Sequence, residues 1–260
     1  MTVEQPQHSF DLTAFRLSDM VECAAHARTL GEGVDSMEEV ASRVVEFLYG
    51  SFRDPATGLN ACPLVRFFQT QAYGEIPNDF RAAADRSFPN RASAPSMTCL
   101  VLLATRGDEP AWNDPRASRD HLAIPLPSEE IVGQAPMISQ LIKQLGLPID
   151  AVIRPDSNFL LEAQQTSFNI FHVSEALGSP YIPAQSSFVA PYGIRSVLGF
   201  GGILPTGNLF ATIMFARVSI PPETAALFRT LALNVKLALL PFIGDGGDRV
   251  FARSPAGGNA

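Results

Sequence analysis

The 260-residue sequence predicts an α+β domain: one mostly antiparallel sheet, N- and C-terminal helices on one face, and a loop-and-helix excursion on the other. Three observations carry this. The chain opens with two helical patterns and closes with a long apolar one. Between them, short β-type runs are broken by turn residues. The two most apolar of those runs, Ile194 to Leu204 and Leu209 to Val218, flank Pro205-Thr206-Gly207-Asn208. Pro presets φ and Gly supplies φ > 0, so these runs form a hairpin.

Residues 1–14 read as a flexible tail. Ser18 is placed to cap a helix carrying Met20, Val21, Ala24 and Ala25 and stopping near Gly31. Ser36 with Glu39 forms a capping box, and Val40, Ala41, Val44, Val45 and Leu48 follow on one helical face. Asp54 to Gly58 is a turn. The strand from about Ala61 to Tyr73 sets Leu64, Arg66, Phe68 and Thr70 against Val65, Phe67 and Gln69. Pro77 to Ala84 reads as a short helix and Met97 to Thr105 as a buried strand. Arg106 to Ser118, with the one Trp, is a loop. His121 to Leu126 is an edge strand because of Pro125.

Ser128 caps a helix through Ile131, Ile138, Leu141, Ile142 and Leu145, weakened early by Gly133 and Pro136 and ended by Gly146. A short helix around Phe159 to Gln164 is followed by a strand, Phe168 to Val173, and a short helix, Ala184 to Ala190. In the hairpin, Leu209, Ala211, Ile213 and Phe215 share one face and Phe210, Thr212, Met214 and Ala216 the other. Both faces are apolar, which places the hairpin mid-sheet. Gly199, Gly201 and Gly202 mark a bulge or a close approach by another backbone or a ligand. Pro221-Pro222 and Glu223 start the closing helix. Its first stripe is Leu227, Phe228, Leu231, Val235 and Ala238; a second is Leu233, Leu237 and Leu240, which calls for a partner helix. Residues 244–260 read as a disordered tail, leaving 15–243 as the domain.

Composition narrows the function. Hydrophobic residues make up 46% and charged residues 17%, so the chain has an ample core. A net charge of −7 without a basic stripe argues against nucleic acid. MTVEQPQHSFDL does not read as a signal peptide, and no uninterrupted apolar run reaches the roughly 18–20 residues of a membrane span. Cys23, Cys62 and Cys99 are odd in number and far apart, which fits a reduced, cytoplasmic setting.

The stretches CPLVRFFQTQAYGEIP (62–77), FHVSEALGSPYIPAQSSFVAPYGIRSVLGFGG (171–202) and LFATIMFARVSIPPETAALFRTLALNVKLALLPF (209–242) resemble GAF-type sensory domains. More narrowly, they resemble the GAF-like input segments of bacterial PAS and histidine-kinase signalling proteins. The resemblance implies a small-molecule pocket between sheet and excursion, and a homodimer through helix 223–242. A histidine kinase or other signalling protein is the implied partner, reached in trans or as part of a longer chain. The sequence names no cofactor: the Asn-Lys…Phe…Asp-Glu set of cyclic-nucleotide GAF domains is missing, and no cysteine has the setting that holds a bilin.

The candidate ligand-binding residues are Arg66, Phe68, Tyr73, His172, Tyr181 and Tyr192. Arg66, a charge among apolar strand neighbours, either binds an anionic group or pairs with a carboxylate. His172 is a pocket-wall or sheet-end residue, or a metal or haem ligand; no histidine pair has metal spacing. The tyrosines ring a pocket mouth or simply pack. Cys62 and Cys99 are core residues or a redox pair of neighbouring strands. The leading function is a signal-transduction sensor. A ligand-free dimerisation and scaffold module is the alternative, followed by a thiol redox enzyme of the free methionine-sulfoxide reductase type. A Gly-x-Ser-x-Gly elbow is missing, which argues against a serine hydrolase.

Overall fold

The computed structural model describes residues 9–88, 93–118, 120–155, 169–244 and 247–252. Two helices lead, α1 (Leu17–Thr29) and α2 (Met37–Ser51). The cap of α1 is Arg16 rather than Ser18; its N–H donates to the Asp19 carboxylate at 2.9 Å, close to the positive helix start. Ser36 caps α2 by accepting from Glu39 N–H at 3.3 Å, while the Glu39 carboxylate takes Asp35 N–H, one residue before the predicted box partner.

The strands are β1 (Leu64–Ala72), β2 (Thr98–Gly107), β3 (Ala123–Pro125), β4 (Ile170–Val173), β5 (Ser196–Ile203) and β6 (Leu209–Ala216). They form one sheet in the order β3-β2-β1-β6-β5-β4. Every pairing is antiparallel, as the sequence predicts. Pro125 sits on the edge strand, where its missing N–H costs no ladder bond. The helix α3 (Asn78–Ser87) follows β1. The single helix predicted after Ser128 is two, α4 (Glu129–Gly133) and α5 (Pro136–Gln144), broken where Gly133 and Pro136 weaken it. The excursion continues with α6 (Ile149–Ile153). The helix predicted around Phe159 to Gln164 lies outside the described residues. Gln185–Val189 is one π-helical turn.

The hairpin of β5 and β6 keeps its predicted alternation. Leu209, Ala211, Ile213 and Phe215 pack in the excursion-side cluster, and Phe210, Met214 and Ala216 in the helix-side cluster. Its register runs unbroken from Ser196 to Ile203, so the glycines form no bulge. The ladder irregularity lies between Phe67 and Phe68 of β1 instead. Close approach explains two of the glycines. A Cβ on Gly201 would sit 2.1 Å from the Phe210 carbonyl oxygen, and one on Gly199 2.8 Å from Ile213 Cδ1.

The closing helix α7 (Pro222–Leu239) packs across β4 and β5 and against α1. The contacts with α1 fall on Asn234 and Ala238 rather than on the second stripe of Leu233, Leu237 and Leu240. A Cβ on Gly31, just after α1, would meet the Ala238 carbonyl oxygen at 2.4 Å, so only glycine admits this contact. Asn234 is buried at this seam: its Oδ1 accepts from Arg28 Nε and Nη2, and its Nδ2 donates to the Thr230 carbonyl. The segment Pro222–Phe242 is long and apolar enough to cross a membrane, but half of it is buried within the domain. Leu233 remains 41% exposed.

Both predicted tails are partly packed. Phe10 and Leu12 are buried, and Phe10 stacks near Phe15 and Phe52. Gly247–Ala252 lie along the start of α2. The Arg249 and Val250 carbonyls accept from Met37 and Glu38 N–H at 2.9 and 2.8 Å, satisfying two of the free donors of the helix start. Phe251 meets Phe80 at 5.2 Å.

Candidate functional site

The register of β1 decides which candidate residues share a face. Arg66 lies between Leu64 and Phe68, both in the excursion-side cluster, and pairs with Thr105 on β2 and Ile213 on β6. Its Nε is buried with no hydrogen-bond partner. Among the described residues Arg66 forms no ion pair. Desolvation alone pulls its pKa down to about 10. Directly opposite, Thr105 Oγ1 is also buried and unpartnered. His121 senses this charge: burial first and Arg66 second push its pKa down to about 4.

Phe68 and Tyr192 belong to the same side. Phe68 is buried in the excursion-side cluster, and Tyr192 packs partly buried against it. Trp112 and Phe188 stand 4.6 and 5.7 Å from the Tyr192 ring, and the Tyr192 hydroxyl donates to Glu109 at 3.1 Å. Tyr181 is 40% exposed on its turn. The remaining two lie elsewhere. Tyr73, past the end of β1, packs against the helix-side core and donates to Asp85 at 2.9 Å. His172 pairs with Leu198, a helix-side residue, while its neighbours Phe171 and Val173 face the excursion. Burial lowers the His172 pKa, opposed by a contact with the Ile220 backbone.

The sheet therefore gathers Arg66, Phe68 and Tyr192 on one side and separates Tyr73 and His172 from them. Sequence reasoning left out Thr105, because only strand register brings it to Arg66. Trp112 and His121 carried no local pattern that would place them on this side.

The cysteines are buried and free. Cys62 precedes β1, whereas Cys99 pairs with Gln71 near its far end. The strand rise sets them about 30 Å apart, so they are not sheet neighbours and are far beyond disulfide reach. Burial drives the Cys62 and Cys99 thiols up to about 12 and the Cys23 thiol higher still. Such thiols stay protonated at neutral pH, which works against a thiolate nucleophile.

A second feature lies at the end of the sheet where β1 stops and the β5–β6 turn closes. It is a cleft of about 1180 Å³ lined by residues that include Asp35, Glu39, Gln71, Glu75, Thr98 and Asp248. None of the six predicted ligand residues lines it. Among the described residues no group of three His, Cys, Asp or Glu side chains is placed to hold a metal ion.

No protein-family model and no curated protein matches the sequence. Solved structures of similar fold include free methionine-R-sulfoxide reductase from Neisseria meningitidis in complex with its substrate. It shows 12% identity and a TM-score of 0.45, over 90% of this chain and 99% of that one. The photosensory core module of the Stigmatella aurantiaca phytochrome shows 13% identity and a TM-score of 0.40, over 88% of this chain and 38% of that one. A phycoerythrobilin-bound GAF domain from a cyanobacterial phytochrome shows 11% identity and a TM-score of 0.36, over 88% of this chain and 98% of that one. A GAF domain thus stands among the similar folds. At these TM-scores the likeness carries no argument about chemistry.

Proposed function

We propose that this chain is a GAF-like regulatory input domain that binds a small anionic molecule against Arg66. The observation that carries the reading is the Arg66 guanidinium, which has no ion pair among the described residues: its Nε is buried and unpartnered, and the hydroxyl across the strand is unpartnered too. A desolvated charge without a counter-ion is costly, and an anion accepting from Arg66 and Thr105 would offset that cost. Phe68 and Tyr192 supply apolar and aromatic wall on the same side.

Relay in this reading runs through α7, which contacts the sheet on one side and α1 on another. Leu233 on α7, with Leu17 (66% exposed) and Val21 (62% exposed) on α1, supports a homodimer through this helix pair. The output passes to a signalling partner such as a histidine kinase, in the cytoplasm. A ligand must prefer one arrangement of the helices for the signal to pass.

One observation favours the scaffold alternative: Phe171 and Ile213 fill the space over Gly199, so the centre of the excursion side is packed by the chain itself. Native and denaturing mass spectrometry of the chain from its own host separates the two readings. Extra mass that leaves on denaturation, and that Arg66→Met no longer retains, supports the sensor. A dimer without adduct in both proteins overturns the sensor in favour of the scaffold, and a monomer removes the dimer relay.

A further inference from the structure

We infer that the cleft at the sheet end is a separate binding site, for a small uncharged polyhydroxylated ligand of the sugar or polyol class. This goes beyond the anion reading and does not rest on it. The cleft is formed where three parts of the chain meet: the start of α2, the ends of β1 and β2 with the β5–β6 turn, and the segment Gly247–Ala252.

An unmet donor marks the site. Gln71 lines the cleft at 3% exposure, and its Nε2 is buried with no hydrogen-bond partner. A buried amide N–H is destabilising unless an acceptor meets it, so a ligand must bring an acceptor to this wall. The rest of the lining asks for the opposite. Asp35, Glu39, Glu75 and Asp248 face the same cleft, and ionised carboxylates only accept. Among the described residues none of the four is in an ion pair. Arg154 adds donors to the lining, whereas Arg249 is already occupied, with Nη2 donating to the Pro241 carbonyl at 2.9 Å.

One chemical group answers both demands. A hydroxyl accepts with its oxygen and donates with its proton, so neighbouring hydroxyls on one carbon frame meet Gln71 and a carboxylate together. An ammonium offers Gln71 no acceptor, and an anion offers the carboxylates no proton and is repelled by them. Ile153, Val250 and Phe251 add apolar wall for the C–H faces of such a frame. The wall is also built in advance: the Arg249 and Val250 carbonyls are fixed on the Met37 and Glu38 amides, and Ala252 N–H on the Glu38 carboxylate.

Saturation-transfer NMR of the full chain with D-glucose, ribitol and myo-inositol, each at low and high salt, tests the site. The expected result is saturable transfer to at least one of the three, unchanged by salt because no ion pair forms on binding. Gln71→Leu should weaken that binding about tenfold. Glu75→Ala, at an exposed position, should weaken it too. Without ligand, Gln71→Leu should melt no lower than the unaltered chain, since it removes an unmet amide. Absent transfer to all three at millimolar concentration, affinity that falls as salt rises, full affinity in both variants, or a lowered melting temperature of Gln71→Leu overturns the proposal. Anion binding at Arg66 is read by a different measurement, so either proposal can fail while the other stands.

Discussion

On the helix face of the sheet, Phe200, Phe228, Phe15 and Phe52 form a chain of rings with centroids 5.4 to 5.9 Å apart, closed over by α1, α2 and α7. On the excursion face, helices of five to nine residues pack over a strand surface that contains an arginine whose buried Nε has no hydrogen-bond partner. The same strand, β1, serves both: Val65 and Phe67 feed the first, and Leu64, Arg66 and Phe68 the second. Alternation along one strand thus lets a protein keep a dense, uncharged core within a residue of a desolvated charge. The helix face holds the fold. The excursion face has its own apolar cluster, and Arg66 lies within it.

That contrast can be broken or sharpened by measurement. The largest effect belongs to the helix face: Phe228→Ala, at a fully buried ring, should cost about 3–5 kcal/mol in chemical denaturation. A loss below about 1 kcal/mol would mean that the ring chain is not the main core. The opposite sign is expected across the sheet. Arg66→Met removes a desolvated charge that has no counter-ion among the described residues, so without ligand it should raise stability by about 1 kcal/mol. Destabilisation instead would show that Arg66 is held by a contact of the fold itself.

The smallest effect is a slope. His121 is an exposed residue whose pKa is nonetheless lowered from 6.5 to about 4, by desolvation first and Arg66 second, so the unfolded chain binds more protons in that range and solvent screening keeps the effect small. The contribution is complete above 6.5 and is lost as pH falls toward 4. His172, also lowered, adds a slope of the same sign from the helix side. In denaturation series across this window, His121→Gln should flatten the acid-side decline. An unchanged slope would place the histidine ring in water, away from the Arg66 charge.

Much of the architecture was legible because it rests on local patterns. The alternation of Leu209 to Ala216, the Pro205 to Asn208 turn, the Ser36 cap and the Pro221-Pro222 helix start all stand where neighbouring residues place them. Arg66 was conspicuous for the same reason, as a charge in an apolar strand. The rest escaped where distant segments decide. Ser128 predicts one helix, yet Gly133 and Pro136, visible as weak points, split it in two. His172 sits among apolar neighbours like a pocket residue, and only the β4–β5 register turns it to the helix side.

The sequence by itself determined the α+β order, the two faces of the hairpin and the apolar closing helix, since periodicity and turn chemistry act within a few residues. Only the tertiary structure decided how that helix seats against α1, which hydroxyl stands opposite Arg66, and where Gly247–Ala252 dock. Those contacts join residues such as Arg28 with Asn234 and Glu38 with Ala252, 206 and 214 positions apart. No local pattern encodes such pairings, because their free energy comes from burying surfaces that meet only once the sheet has formed.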